Sequence, residues 1–332
     1  MDKIFIIAEA GVNHNGSLKM AKKMVDAAVS AGADAIKFQI FNPDEMVRRN
    51  APKAEYQKST SGKSQYEMLK KLALNDDAFK VLAAYCRKRG LVFLASPFDE
   101  PSVDLMEELH VPIYKIASGE ITNLPLLRKI GALGKRVILS TGMATVKEIN
   151  EALQILMKAG TSKKNITLLH CTTAYPAPVE EVNLKVIPEL REKFGLTVGY
   201  SDHTLGIEVA MAAAALGATV IEKHFTLDKK MSGPDHKVSL DPQELSGMVK
   251  ALRNVEKALG DRSKKPTPAE LKIRKIARKS IVARLGIKKG ERFSADNLAT
   301  KRPGHGLSPL MWDRLIGKRA RRNFQKDELV RL

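Results

Sequence analysis

Two histidines follow apolar segments near residue 200 and could share a metal ion. An apolar run over Thr197–Tyr200 leads to His203, a helical stretch rich in Ala, Val and Met follows, and a second apolar run ends at His224. A strand, a helix and a strand in succession place the two strands in parallel. Because adjacent strands lie about 4.8 Å apart, two imidazoles at their carboxyl ends could bind one ion. Two histidines are too few for a closed zinc site, and both could instead be strand-end residues that hydrogen-bond to loops.

Further polar residues follow other apolar runs and suit the binding of anions. Glu9 would add an oxygen to the two histidines, which makes a mixed set that fits a divalent metal with open positions. Lys37 and Lys115 suit a carboxylate and a phosphate, and hydroxyl and backbone N–H groups cradle anion oxygens. The other polar residues at these run ends are Gln39, Ser96, Ser118, Glu120, Ser140, Thr173 and Ser201.

The elements that must position these residues form a repeating pattern. Eight short runs rich in aliphatic residues recur, and helical patterns separate most of them. This pattern predicts an α/β fold, a (β/α)8 TIM barrel, in which the carboxyl ends of the strands carry the active site. The predicted strands are Ile4–Ala8, Ala35–Phe38, Val92–Ala95, Ile113–Ile116, Val137–Leu139, Ile166–Leu169, Thr197–Tyr200 and Thr219–Ile221.

The sequence divides into three predicted parts. Residues 1–262 form the barrel, which the helix Pro242–Leu259 closes. Residues 263–279 form a polar, Pro-containing linker with a basic helical stretch, and residues 280–332 form a small β-rich domain with many turn residues. The long connection 42–75 is either a partly helical lid over the barrel mouth or a peripheral insertion.

Composition limits the classes of function. The chain has 332 residues, a net charge of +19 and 5% aromatic residues. The positive charge suits an anionic substrate, whereas the few aromatic residues argue against a nucleic-acid stacking surface. The first residues are too quickly polar for a signal peptide, and no apolar run is as long as a membrane span, so we expect a cytoplasmic protein. A second hypothesis is an inert barrel whose basic module binds an anionic polymer.

Other enzyme classes fit the residues less well. A Schiff-base aldolase needs one desolvated lysine, whereas two lysines near hydroxyl groups favour ion pairing. A dinuclear amidohydrolase would have a His-x-His motif on the first strand, but Asn13-His14-Asn15 contains one histidine. The sequence also contains no P-loop and no dinucleotide-binding glycine motif.

An ordered set of motifs resembles the bacterial sialic acid synthase family. The motifs are AEAGVNHNG, KFQ, SPF, YKIASGE, ILSTGM, LLHCTTAYP, GYSDHTLGIE, IEKHFTLD and GPDH. The tail IKKGERFSADNLATKRPGHGLSP is similar to the antifreeze-like (SAF) domain that follows the barrel in that family. The resemblance implies condensation of phosphoenolpyruvate with an N-acylated mannosamine-type sugar, which gives a nine-carbon 2-keto acid and phosphate.

The resemblance also implies roles for individual residues. His203 and His224 would hold Mn²⁺ or Mg²⁺, with Glu9 as a third contact to the metal or to a water. Glu9 or Glu120 would accept a proton from the water that adds to the substrate. Arg302 would reach the sugar from the neighbouring subunit of a domain-swapped homodimer. Phosphoenolpyruvate would contact Lys37, Ser96, Lys115, Ser118, Ser140, Thr173 and Ser201, and the sugar would contact Gln39, Glu120, Tyr175 and Asp235.

Two positions depart from the pattern of the family, and the acceptor sugar stays open. Thr173 replaces an asparagine of some relatives, and Ser96 replaces a common threonine, but both keep a donor group. N-acetylmannosamine, which would give N-acetylneuraminate, is the first candidate acceptor. Its 6-phosphate and 2,4-diacetamido-2,4,6-trideoxymannose, which would give N,N'-diacetyllegionaminate, are the alternatives. The segment KAEYQKSTSGKSQYEMLKKLAL is somewhat closer to the legionaminate branch.

Overall fold

The chain consists of two compact units. The structure is a computed structural model that describes residues 3–57, 60, 62–261 and 263–331. The contacts separate Met1–Gly260 from Asp261–Leu332. The first unit therefore ends close to the predicted boundary at 262, a position that lies outside the described residues. The segment 263–279, predicted as a linker, belongs to the second unit.

Eight parallel strands close into a barrel in the first unit, which confirms the predicted fold. The strands are β1 Phe5–Gly11, β2 Ala35–Ile40, β3 Val92–Pro97, β4 Ile113–Ile116, β5 Arg136–Ser140, β6 Ile166–Cys171, β7 Thr197–Asp202 and β8 Val220–His224. The helices are α1 Leu18–Ala31, α2 Pro43–Met46, α3 Gln65–Leu72, α4 Asp76–Lys88, α5 Glu100–Glu108, α6 Leu124–Ala132, α7 Val146–Ala159, α8 Val186–Phe194, α9 Glu208–Ala215 and α10 Pro242–Leu259.

Local sequence signals mark the ends of several helices. Asn123 precedes α6, and its side-chain oxygen accepts a hydrogen bond from the N–H of Leu126. Asp99 caps α5 in the same way through Ser102, and both helices carry proline in their first turn. Gly32 ends α1 with φ of 80°, the left-handed conformation that glycine adopts without strain.

The two faces of each strand enter different apolar layers. Ile7, Leu94, Ile138 and Leu169 belong to a small cluster inside the barrel. Their neighbours along the strands, such as Ile6 and Ala95, belong to the large cluster that includes residues of the surrounding helices. Because side chains alternate along a strand, the residue two positions after each of these inner residues in the sequence also faces the lumen. The polar residues Glu9, Ser96, Ser140 and Cys171 occupy such positions.

Seven of the strands extend further toward their carboxyl ends than the hydrophobic runs predicted. β1 ends at Gly11 rather than Ala8, and β8 ends at His224 rather than Ile221. The runs stop where polar residues begin, but the backbones of these residues remain paired in the sheet. The register of β1 against β2 shifts between Glu9 and Gly11. Gly11 has φ of 52°, and a Cβ there would lie 3.3 Å from Glu9 Oε1, so a side chain would press on the lumen.

The connection 42–75 is partly helical, as one of the two predictions had it. It contains α2, a 3-10 turn over Glu55–Gln57, and α3. Residues 58–59 and 61 of the segment lie outside the described residues. Met68, Leu69 and Leu72 of α3 are buried in a cluster with Val12 and Phe41 of the barrel unit. The segment is therefore packed onto the barrel unit by its own apolar residues.

The second unit has its own small core. Strands β9 Ser280–Ala283 and β10 Leu298–Lys301 pair antiparallel, and the helices α11 Pro268–Ala277 and α12 Trp312–Leu315 belong to the same unit. Its buried apolar residues are Ile281, Val282, Ala283, Ile287, Phe293, Leu298, Leu315, Ala320, Phe324 and Val330. Throughout the part of the chain that the structure describes, every helix lacks the combination of length and apolar character that crossing a membrane requires.

Candidate active site

A cavity of about 360 Å³ opens at the carboxyl ends of the barrel strands. Its position is that of the active site in enzymes with this fold. Twelve residues that the sequence pointed to line it together: Glu9, Lys37, Gln39, Ser96, Lys115, Ser118, Ser140, Thr173, Tyr175, Ser201, His203 and His224.

Three predicted site residues are not among the lining residues. Glu120 lies in the 3-10 turn Ser118–Glu120 and accepts a hydrogen bond of 2.7 Å from Asn123 Nδ2. Asp235 is buried beside the cavity, with Oδ2 at 3.9 Å from His224 Nδ1, and burial raises its pKa to about 6. Arg302 belongs to the second unit and is exposed there, and its role at a sugar site stays a prediction.

Four buried charges alternate in sign along the cavity floor. Lys37 Nζ lies 3.0 Å from Glu9 Oε2 and 3.7 Å from Glu222 Oε1, and Lys115 Nζ lies 3.8 Å from the same Glu222 oxygen. Each of the four side chains is at most 5% exposed. Because isolated buried charges are costly, the two carboxylates are what allow two lysines to remain charged here.

This arrangement shifts the pKa values of the four groups in different directions. Burial raises the pKa of Glu9 to about 7, although Lys37 opposes the shift. Burial alone would lower the pKa of Lys37, but the carboxylates of Glu222 and Glu9 raise it above its ordinary value. Burial lowers the pKa of Lys115, and the nearby Lys37 adds to the effect. Glu9 therefore combines a lumen position with a pKa that lets it exchange a proton near neutral pH.

Hydroxyl and backbone groups surround Lys115 in a form suited to a phosphate. Lys115 Nζ donates to Ser140 Oγ at 2.6 Å, and Gly142 N donates to Ser118 Oγ at 3.0 Å. A Cβ at Gly142 would lie 2.1 Å from Thr173 Oγ1, so only glycine fits between these side chains. Thr173 Oγ1 is buried and has no hydrogen-bond partner, so it can donate to a ligand.

The two histidines present ring nitrogens that could bind a metal ion. The ring centroids of His203 and His224 lie 5.5 Å apart. His203 Nδ1 lies 2.8 Å from the carbonyl oxygen of Thr172, which favours the tautomer that donates from Nδ1 and leaves Nε2 as a ligand. His224 Nδ1 is buried without a hydrogen-bond partner, and burial together with His203 lowers its pKa well below the usual value. The donor set fits a divalent ion.

Glu9 does not complete a three-residue metal cluster with these histidines. Among the described residues, no group of three His, Cys, Asp or Glu side chains has the arrangement needed to hold a metal ion. The carboxylate of Glu9 is paired with Lys37 instead. Contact of Glu9 with a metal ion, directly or through a water, stays a prediction.

A second buried ion pair fixes the strand ends that carry the histidines. Asp202 and Lys223 directly precede His203 and His224, and they face the opposite side of the sheet. Lys223 Nζ lies 2.6 Å from Asp202 Oδ2 and also donates to the carbonyl oxygen of Thr204 at 2.7 Å. This pair joins β7 to β8 directly behind the two imidazoles, so it sets their spacing.

The loop motif NHNG ties the first strand of the barrel to the loop after the last strand. Asn13 Nδ2 donates to the carbonyl oxygen of Phe225 and to Ser239 Oγ, both at 2.9 Å. Asn15 Nδ2 donates to the carbonyl oxygen of Ser232 at 2.9 Å. Burial lowers the pKa of His14 to about 4, which keeps its ring neutral, and His14 Nδ1 accepts a hydrogen bond from Gly16 N. The motif therefore holds the loop that carries Asp235, rather than supplying a metal ligand.

Glu222 lies at the centre of the charge cluster but was not among the site residues predicted from the sequence. The predicted last strand ended at Ile221, so Glu222 was taken as a residue beyond it. A signal was nevertheless present, because Glu222 lies two residues before His224 and must share its face of the strand. Cys171 also lines the cavity, with Sγ at 3.7 Å from His203 Nδ1.

Comparisons with known proteins agree with this architecture. The fold is a TIM barrel with a candidate active site at the carboxyl ends of its strands, followed by a small β domain. The model of the NeuB family matches residues 24–264, and that of the SAF domain matches residues 278–332. The chain belongs to the NeuB family, as the motifs indicated. Membership of this family favours an enzyme over the second hypothesis, an inert barrel whose basic module binds an anionic polymer.

Three similar proteins cover most or all of the chain. N,N'-diacetyllegionaminic acid synthase of Campylobacter jejuni is 54% identical over 100% of both chains. The protein of the same name from Legionella pneumophila is 45% identical over 96% of this chain and 91% of its own length. The crystal structure of an N-acetylneuraminic acid synthetase from Leptospira borgpetersenii, in complex with citrate, shares 37% identity over 82% of this chain and 90% of its own, with a TM-score of 0.74.

The charge cluster predicts how stability responds to an anion. Glu222→Gln leaves two buried lysines with one carboxylate, so we expect a loss of about 3–5 kcal/mol in the free energy of unfolding. The midpoint of thermal unfolding should fall by roughly 10 °C. Inorganic phosphate should restore part of the missing negative charge and raise the midpoint more in the variant than in the wild type.

Asp202→Asn is the matched control for this measurement. It also converts a buried carboxylate to an amide and leaves a buried lysine, but on the side of the sheet that faces away from the cavity. Phosphate should therefore raise the midpoint of thermal unfolding of Asp202→Asn by no more than it raises that of the wild type. If phosphate raised the unfolding midpoint equally in the wild type and in both variants, the cluster would not face an anion site.

Proposed function

We propose that this chain condenses phosphoenolpyruvate with 2,4-diacetamido-2,4,6-trideoxymannose to give N,N'-diacetyllegionaminate and phosphate. The observation that carries the reaction class is the buried cluster of two lysines and two carboxylates beside a hydroxyl-lined cradle and two histidines. The acceptor rests on the 54% identity, over the full length of both chains, to a protein with the corresponding name. This acceptor replaces N-acetylmannosamine, which the sequence reasoning placed first.

The proposed mechanism uses the side chains of the cavity floor. Lys37 and Ser96 bind the carboxylate of phosphoenolpyruvate, and Lys115 with Ser140 binds its phosphate. Carbon 3 of phosphoenolpyruvate attacks the aldehyde carbon of the open-chain sugar, whose oxygen takes up a proton and becomes a hydroxyl group, while one molecule of water adds its hydroxide to carbon 2 and releases a proton. The resulting intermediate breaks its carbon–oxygen bond to phosphate, which leaves the 2-keto acid.

Glu9 is our choice for the group that accepts the proton of the attacking water. Its carboxyl lines the cavity and has a pKa of about 7. A large fraction of the molecules therefore has a deprotonated Glu9 at neutral pH, and this carboxylate is basic enough to accept a proton. Glu120 does not line the cavity in this structure and bonds to Asn123. The phosphate binders Ser118, Thr173 and Ser201 and the sugar contacts Gln39, Tyr175 and Asp235 keep the roles that the family resemblance implies.

A divalent ion, Mn²⁺ or Mg²⁺, is the proposed cofactor, and His203 and His224 would hold it. Bound there, the ion would polarise the aldehyde oxygen on which negative charge develops. The chain supports this assignment with the hydrogen bond from His203 Nδ1 to Thr172, which orients one ring, and with the unpartnered Nδ1 of His224.

The acceptor can be identified by release of phosphate from phosphoenolpyruvate. We expect 2,4-diacetamido-2,4,6-trideoxymannose to give a kcat/KM at least about tenfold above those of N-acetylmannosamine and its 6-phosphate. The released phosphate and the nine-carbon product should appear in equal amounts. A higher kcat/KM with N-acetylmannosamine would overturn the acceptor, and absence of phosphate release with all three sugars would overturn the reaction class.

The metal assignment predicts one binding site that depends on two histidines. Protein treated with EDTA should bind Mn²⁺ with one site per chain in calorimetry, and His224→Ala should weaken binding by roughly 100-fold or more. His170→Ala is the control, because His170 Nε2 bonds to the carbonyl oxygen of Val182 and the residue does not line the cavity. Equal Mn²⁺ affinity in the wild type and in His224→Ala would contradict the assignment.

We also propose a homodimer in which Arg302 serves the site of the partner subunit, as the family resemblance implies. The exposed position of Arg302 in the second unit leaves it available for such a contact. Arg302→Ala and Glu9→Ala should each be nearly inactive alone. Mixed dimers would contain one site with both residues intact and should recover up to about half of the wild-type activity per such dimer. No recovery after confirmed subunit exchange would contradict action in trans.

A further inference from the structure

The cavity has an apolar wall that the proposed chemistry does not use. Met46, Leu69 and Phe98 line the cavity together with the charged floor. The same three side chains belong to the apolar cluster that packs α3 onto the barrel unit. One side of the cavity is therefore built for charge and hydrogen bonds, and these three apolar side chains line another part of it.

Side-chain packing and hydrogen bonds hold this apolar wall in place. Leu69 is buried, and Phe98 lies edge-on to Phe41 with ring centroids 6.4 Å apart. Tyr66 Oη donates to Asp44 Oδ1 at 2.9 Å, which joins α3 to α2, the helix that ends at Met46. The N–H of Asn42, which caps α2, donates to Asp99 Oδ2 at 2.6 Å and anchors the segment beside Phe98.

The proposed positions of the reacting groups leave one part of the sugar for this wall. Phosphoenolpyruvate is anionic and belongs on the floor with Lys37 and Lys115, while the aldehyde belongs beside the two histidines. The remaining part of the acceptor, its end far from the aldehyde, is what the apolar wall can contact. A hydroxyl group buried against hydrocarbon loses its hydrogen bonds to water, whereas a methyl group there is stabilised.

We infer that Met46, Leu69 and Phe98 select an acceptor whose far end is a methyl group rather than a hydroxymethyl group. The assignment rests on the proposed function and names the feature of the sugar that this site recognises. Gln65 lies one turn before Leu69 on the same face of α3 and also lines the cavity. Its amide can pair with an acylamino group of the same sugar.

The test compares two acceptors that differ only at carbon 6. These are 2,4-diacetamido-2,4,6-trideoxymannose and 2,4-diacetamido-2,4-dideoxymannose, and the readout is the ratio of their kcat/KM values for phosphate release. The wild type should favour the 6-deoxy sugar by about 10-fold to 100-fold. Leu69→Ala should lower this ratio by about tenfold, mainly through weaker use of the 6-deoxy sugar.

Leu72→Ala is the matched control. It removes the same atoms from the same apolar cluster, but Leu72 does not line the cavity, so the ratio should stay at the wild-type value even if both rates fall. Met46→Gln keeps the length of a half-buried side chain and supplies an amide for a hydroxyl group, so it tests the wall without emptying the core. It should also lower the ratio.

The outcomes separate this inference from the proposed function. Equal use of both sugars by an active wild-type enzyme would overturn the inference and leave the function standing. A ratio that neither Leu69→Ala nor Met46→Gln changes, or that Leu72→Ala lowers as much as Leu69→Ala, would also overturn it. Absence of phosphate release with either sugar would overturn the proposed function and this inference with it.

Discussion

The alternation of Glu9, Lys37, Glu222 and Lys115 on the barrel floor is the interaction on which the site depends. Two ammonium groups without carboxylates could not stay charged at this depth, and two carboxylates without lysines would repel each other. The four charges come from strands β1, β2, β4 and β8, so only a closed barrel brings them together. Two positive and two negative groups also leave little net charge on the floor. A bound anion therefore changes a balance of charge that already exists.

The alternation of side chains along the strands explains why much of this site was visible in the sequence. Lys37 and Lys115 lie in the carboxyl-terminal halves of predicted strands and Ser140 directly follows one, and parallel strands bring such positions to one end of a barrel. The same rule would have found Glu222, since a residue two positions before His224 must face the lumen with it. It was missed because the run of aliphatic residues was taken as the whole strand, although a polar residue that faces a filled lumen remains part of the sheet.

Other features could not be predicted because they depend on contacts between distant segments. The apolar wall of Met46, Leu69 and Phe98 requires α3 to pack on Phe41 and Val12, and no periodicity in the segment 42–75 specifies that contact. The direction of a loop side chain is a separate difficulty, since Glu120 directly follows the lining residues Ser118 and Gly119 and its carboxylate is oriented by a hydrogen bond from Asn123. Strand number and polar strand ends follow from short-range pattern, whereas side-chain direction at loops does not.

The site spans the contact between the first and the last strand of the barrel. β1 pairs with β8, and this ladder sets Glu9 directly opposite His224. Phe225 N then donates to the carbonyl oxygen of Glu9 at 2.9 Å. During synthesis, at about 5–20 residues per second, Glu9 emerges tens of seconds before its partner strand exists. Until that strand arrives, the first strand has a free edge and a carboxylate with no enclosed lumen to occupy. The pairing of β8 with β1 therefore also assembles the chemistry, because a ribosome-bound fragment short of β8 lacks both Glu222 and His224.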